Sequence, residues 1–220
     1  NPDNFGQSPA VNRGVIDAHD PGILTSASLM VRWPAAAEAV SLGRRHPRLG
    51  LGLHLDLGEW IFHDGAWVAR YEVVPLDDAR AVAKEIAGQF AEFERLVGRP
   101  PTHVDSHQHV HREEPVRSVA LEYANRLSIP VRHCQSPARY CGAFYGQTAE
   151  GRPLKNRISV DALVRLLSGL EPGLTELATH PGLDADVDST YCCERQQEVA
   201  ALAHAAARAA CEALGVALRS

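Results

Sequence analysis

Residues 49–57, Leu49-Gly50-Leu51-Gly52-Leu53-His54-Leu55-Asp56-Leu57, alternate without a break. In an extended chain successive side chains point to opposite faces. The leucines therefore share one face, and Gly50, Gly52, His54 and Asp56 share the other. A face made only of leucine calls for a covering layer of helices. The small and polar face looks into a crowded interior or a site.

The flanking sequence supplies the helices. Ser8-Pro9 is a helix start, with serine as N-cap and proline in the first turn. That helix runs to about Asp20, and Pro21-Gly22 ends it. Residues 23–31, ILTSASLMV, are apolar and β-branched enough for a strand. Pro34 opens an alanine-rich helix that stops near His46-Pro47. A long loop over 58–76 precedes a helix over 77–98, and Pro100-Pro101 resets the chain for a strand from about Thr102. Further helices are predicted at about 114–127, 159–169 and 191–214, with short strands at 129–133, 173–179 and 215–218. Repeated βα units predict an α/β fold with mostly parallel strands, as an open sheet or a barrel. One domain over 1–220 is expected. Loops 58–76 and 134–158 exceed ordinary connections and are candidate walls of a site. The chain opens on the Asp3–Gly6 turn without a strand before it, so the expectation is that a first strand lies partly before residue 1.

Composition narrows the function classes. With 220 residues and 45% apolar content the chain can bury a core. A net charge of −5 without a basic cluster argues against a nucleic-acid partner. No run approaches the roughly 20 apolar residues that cross a bilayer, so no membrane partner is expected. No basic segment followed by an apolar one opens the sequence, and a cytoplasmic protein is expected. Cys134, Cys141, Cys192, Cys193 and Cys211 form an odd set without CxxC spacing, which reads as reduced thiols.

Histidine is the residue type that stands out, with His103, His107, His109 and His111 inside nine positions. Read as a strand, Thr102-His103-Val104-Asp105-Ser106-His107-Gln108-His109-Val110-His111 aligns His103, Asp105, His107, His109 and His111 on one face. Imidazole and carboxylate are ordinary ligands for zinc and similar ions, whereas a solvated polar strand is the bland alternative. His54, on the polar face near the end of its strand, is either a ligand or a hydrogen-bonded core residue. Thr179-His180-Pro181-Gly182 has the same form, a histidine at a strand end before a sharp turn. Asn1-Pro2-Asp3-Asn4-Phe5-Gly6-Gln7-Ser8 sets a carboxylate and an amide before a helix, and on composition alone is also ordinary turn chemistry.

Together these segments resemble the YdjC-like, or chitooligosaccharide, deacetylases. The resemblance runs from NPDNFG (residues 1–6) through GILTSASLMV, GLHL, PTHVDSHQHVH and Phe144-Tyr145-Gly146 to ELATHPG (residues 176–182). It implies a distorted (β/α) barrel of the deacetylase kind, mostly parallel, related to the polysaccharide deacetylases. It also implies one divalent metal ion, Mg²⁺ or Zn²⁺, at the C-terminal ends of the strands. His54 and His107 match metal-binding histidines of the family, Asp3 the catalytic base, and His180 a general acid expected to be protonated. Arg132 resembles an arginine that orients the base. Asp105, His109, Phe144 and Tyr145 are expected at the substrate, an N-acetylated mono- or oligosaccharide. A homodimer is left open.

One position departs from the pattern. The second aspartate of the family's pair, a metal ligand there, is Asn4 in this chain. An amide oxygen coordinates without bringing charge, which implies weaker metal binding. Two readings follow: a working carbohydrate N-deacetylase, or a catalytically impaired sugar-binding protein on the same fold. A different metal hydrolase would leave the Asp3-Asn4 turn unexplained.

Overall fold

The computed structural model describes residues 1–183, Ser189 and 191–220. Its elements in chain order are α1 (Pro9–His19), β1 (Ser26–Leu29), α2 (Ala36–Arg45), β2 (Gly50–Leu55), β3 (Gly58–His63), β4 (Ala66–Glu72) and α3 (Ala79–Val97). Then come β5 (Val104–Ser106), α4 (Val116–Leu127), β6 (Arg139–Cys141), α5 (Val160–Ser168), β7 (Thr175–Leu177), α6 (Cys193–Leu202) and α7 (Ala205–Ala213). No helix among the described residues is long and apolar enough to cross a membrane.

The central sheet is parallel, in the order β1-β2-β5. Single parallel bridges widen it on both sides: Phe5 to Leu29, Pro2 to Thr179, and Val104 to Val131. The opening residues thus lie between β1 and the end of β7, which pairs in parallel with β6. The resulting order, β6, β7, residues 2–5, β1, β2, β5 and Val131, is a parallel wall of the expected α/β kind. Among the described residues no backbone bridge joins Val131 to β6, so the wall stays open there.

Leucine alternation in β2 has the consequence expected of it. Leu49, Leu51, Leu53, Leu55 and Leu57 are all buried in one apolar cluster with Val82, Ile86, Phe90 and Phe93 of α3. At roughly 1.5–3 kcal/mol per buried leucine, this face alone supplies a large share of the drive to cover β2. The opposite face is buried as well, so His54 looks inward. Asp78 caps α3 through the amides of Arg80 and Ala81, and Gly98 ends it in the left-handed region. Ser8 caps α1 through the amide of Val11, with Pro9 in the first turn. A second apolar cluster, around Phe144, Ile158, Leu163 and Leu202, joins α5, α6 and α7.

Several predicted elements differ. Residues 58–76 are not a loop: they hold the antiparallel hairpin β3-β4, turned at Asp64 (φ 49°) and Gly65 (φ 81°). An Asp-Gly pair suits a two-residue hairpin turn that needs positive φ twice. The strand expected from Thr102 to His111 lasts only from Val104 to Ser106. A 3₁₀ turn over His107–Arg112 follows, with Gln108 and His109 left-handed. The helix predicted over 191–214 is two, because His204 caps a new one through the amide of Ala206. Neither 129–133 nor 215–218 forms a strand beyond the Val131 bridge.

Candidate functional site

The parallel register sets His54 directly beside Asp105. Asp105 Oδ1 lies 2.7 Å from His54 Nδ1, and an ionised carboxylate only accepts, so Nδ1 carries the proton and donates. That leaves Nε2 of His54 as the free nitrogen, and it is buried without a hydrogen-bond partner. His107, just past the end of β5, repeats the pattern. Its Nδ1 is 3.3 Å from Asn4 Oδ1, and its Nε2 is also buried and unpartnered. The two rings are 5.8 Å apart.

Arg132 follows Val131 at the far side of the sheet and is buried. It grips both oxygens of Asp3 at 2.8 and 2.9 Å, reaches Asp105 at 2.7 Å, and bonds Glu176 through Nε at 2.9 Å. Three carboxylates therefore surround one guanidinium. Burial would raise the Asp3 carboxyl, but the Arg132 charge overrides it and holds Asp3 well below the usual carboxylate range. Asp105 is depressed in the same way, against its own burial, by Arg132 and His54. Burial opposes a charge on His54 too, yet Asp105 and Asp3 raise it above the ordinary imidazole value. The field that favours a second proton on His54 equally favours a cation there.

His180 sits three residues beyond β7 with Nε2 3.8 Å from Asp3 Oδ2. Loss of hydration pushes its pKa down to about 3, which favours a neutral ring until a proton is delivered to it. His107 is likewise held at about 3, first by burial and then by the charge of His54. Neutral imidazole is the form that binds metal. Two unpartnered imidazole nitrogens in an anionic surround therefore suit a divalent cation. Asp3, His54 and Asp105 also place ligand-type atoms within 4.8 Å of one another. In this trio Asp105 is already committed to His54 and Arg132, so its part is to orient and to supply field.

Asp3, Asn4, His107 and His180 line a cavity of about 290 Å³, with Tyr145 and Tyr191 on its wall. Of the residues expected at substrate, Tyr145 and His109 reach this cavity. Asp105 is fully buried and works through His54. Phe144 is 0% exposed in the second core cluster, so its expected substrate contact is corrected to core packing. The expected one-face alignment of His103, Asp105, His107, His109 and His111 is also corrected. His103 bonds Ser28 and Thr102, and lies across Gly52 where a Cβ would meet its ring at 2.3 Å. His111 is buried between Ser106 and the Arg132 carbonyl. Sequence reading missed Glu176, Tyr191, Arg195 and Glu198. Glu176 had a signal, since it alternates with Ala178 and His180 in TELATH; the other three had none.

The sequence profile of YdjC-like proteins matches residues 1–213. A carbohydrate deacetylase of Geobacillus stearothermophilus is 31% identical over 223 residues, covering 92% of this chain and 87% of the relative. A chitooligosaccharide deacetylase of Serratia marcescens is 30% identical over 257 residues, covering 100% and 96%. A crystal structure of an Enterococcus faecalis protein, whose suggested activity is cellobiose-phosphate cleavage, superposes with a TM-score of 0.78 at 25% identity. It covers 99% of this chain and 94% of that one.

Proposed function

The chain belongs to the YdjC-like family, and from that premise we propose that it is a carbohydrate deacetylase hydrolysing the N-acetyl amide of amino sugars with one divalent metal ion. The observation that supports the metal is the pair of buried, unpartnered Nε2 atoms on His54 and His107, whose rings lie 5.8 Å apart, with Asp3 and Asp105 close to His54. His54 and His107 would hold the ion, with Asn4 beside them; zinc suits the imidazole donors better than magnesium does. When bound, such an ion polarises an amide carbonyl and lowers the pKa of water.

The protein's own groups account for the protons. Arg132 keeps Asp3 ionised and aligned, so Asp3 is ready to accept a proton from the attacking water. Asp3 Oδ2 faces His180 Nε2 at 3.8 Å. This gap is too long for direct transfer, so the proton taken from the attacking water reaches His180 through one bridging water, and His180 delivers it to the departing amine nitrogen. A ring held neutral at rest suits this relay, because it receives its proton only during turnover. The products are acetate and a free amino sugar. A cavity of about 290 Å³ is at the small end of ligand pockets. It suits the acetamido group with one sugar ring against Tyr145, and His109 stands at the edge, bonded to Tyr140 at 3.1 Å.

The assignment is tested by Asp3→Asn on N-acetylated chitooligosaccharide. Loss of the base lowers kcat by about 10²–10⁴, while one zinc per chain is still taken up in a calorimetric titration. Near-wild-type turnover would exclude Asp3 as the base.

A further inference from the structure

A polar cluster on α6, packed against the main chain of His180, has no part in the proton path above. Glu198 is fully buried, and both of its oxygens are engaged. Oε2 accepts from the backbone N–H of His180 at 2.5 Å, and Oε1 accepts from the Tyr191 hydroxyl. That hydroxyl itself accepts from the Gly146 amide at 2.9 Å, so its one proton is directed at Glu198. Arg195, also buried, donates to the Tyr191 carbonyl at 2.8 Å, to the His180 carbonyl at 3.3 Å, and to Gln7 at 3.3 Å. The N–H and the C=O of His180 are thus both held from one turn of one helix. Tyr191 stacks on Tyr145 at 4.6 Å, and its ring lies 5.5 Å from that of His180.

Burying a carboxylate this completely is costly, and burial pushes the Glu198 pKa up to about 7. A plain apolar side chain would cover α6 at less expense. What the carboxylate adds is two acceptors, aimed at the two groups that fix His180 and its aromatic wall. We propose that Glu198, supported by Arg195, is a positioning residue that holds His180 in line with Asp3 and with the departing nitrogen. The inference rests on His180 being the proton donor, as argued above.

Two substrates separate proton donation from the rest of turnover. Di-N-acetylchitobiose has an amine leaving group that needs a proton, whereas 4-nitrophenyl acetate releases a phenolate that needs none. For Glu198→Ala, kcat on the amide falls at least about tenfold, as a misplaced catalytic group does. Its rate on the ester stays within about twofold on the same argument. Glu198→Gln, which keeps the volume and one acceptor, falls in between. His180→Ala, measured alongside, loses the amide and keeps the ester; if it does not, the donor assignment fails, whatever Glu198 does. If His180→Ala is selective while both Glu198 variants turn over the amide like wild type, the positioning role is overturned. Equal losses on both substrates together with a lowered melting temperature overturn it too, since Glu198 then only supports the fold. A crystal structure of Glu198→Ala reads the same point without turnover. A His180 main chain displaced by about 1 Å, the scale on which catalysis is lost, supports the role; an unmoved one overturns it.

Discussion

At position 4 an amide stands beside a histidine that has one free nitrogen. Asn4 sits in the left-handed region at φ 68°, a conformation that asparagine tolerates better than most residues. Its Oδ1 faces His107 Nδ1 at 3.3 Å, so the amide either contributes to the metal or sets the tautomer of His107. Its missing charge is partly offset by the surround. Asp3 and Asp105 are both buried with their pKa values held down by Arg132, and together with Glu176 these carboxyl groups outnumber its single guanidinium. Asn4→Asp adds a carboxylate at this point and strengthens either arrangement. Zinc affinity is expected to rise about tenfold, since a bond to a charged group is worth roughly 1.5–3 kcal/mol against about 1 for a neutral one. Calorimetric titration of both proteins at one pH checks this. Unchanged affinity would mean that Asn4 touches neither the ion nor His107 in the loaded protein.

Close approach between elements sets the second scale. Helix α1 meets the turn after His180 at two glycines, and a Cβ on Gly14 would lie 2.4 Å from Gly182 Cα. Backbone cannot swing aside as a side-chain tip can. Gly14→Ala must therefore push α1 or the Pro181-Gly182 turn, at about 1–3 kcal/mol for overpacking of this kind. Because that turn carries His180, deacetylation should fall more than zinc uptake. A melting curve and a zinc titration on the same sample read both, and an unaltered melting temperature would show that the contact is looser than its geometry. At this scale the sequence was legible where local patterns agree with tertiary packing. The alternation of residues 49–57 marks β2, and Ser8-Pro9 marks a true helix start. The hairpin was legible too, since Asp64-Gly65 between aromatic and β-branched residues is a turn signal, and it was overlooked. The fate of residues 107–112 was not legible. Alternation continues past Ser106 in the sequence, but Ser106 Oγ accepts from the His111 amide at 3.0 Å. His111 also meets the Arg132 carbonyl at 2.9 Å. These tertiary bonds fold the chain into a 3₁₀ turn that no periodicity announces. Of the site, His54 and His180 could be found as strand-end residues and His107 in its histidine cluster, whereas Asp3 was legible only through the family resemblance. Glu198 and Arg195 could not be found, since a charged pair on a helix looks like solvated surface until the fold buries it.

The whole molecule gathers three distant segments onto one edge of the parallel wall. Residues 1–4, 102–107 and 174–180 meet because residues 2–5 insert between β1 and the end of β7, while β2 pairs with β5. Arg132 ties them together by bonding Asp3, Asp105 and Glu176 at once. A cluster with more buried carboxylate than guanidinium gains from a cation, so folding and metal loading should be coupled. Together with His54 and His107, this cluster is proposed to make a metal-dependent deacetylase. The most direct test is acetate release from N-acetylated chitooligosaccharide by chelator-treated protein, before and after one equivalent of zinc is returned. Negligible acetate is expected from the metal-free protein, then acetate and free amine in equal amounts once zinc is restored. Folded protein that binds its zinc and releases no acetate would contradict the proposal.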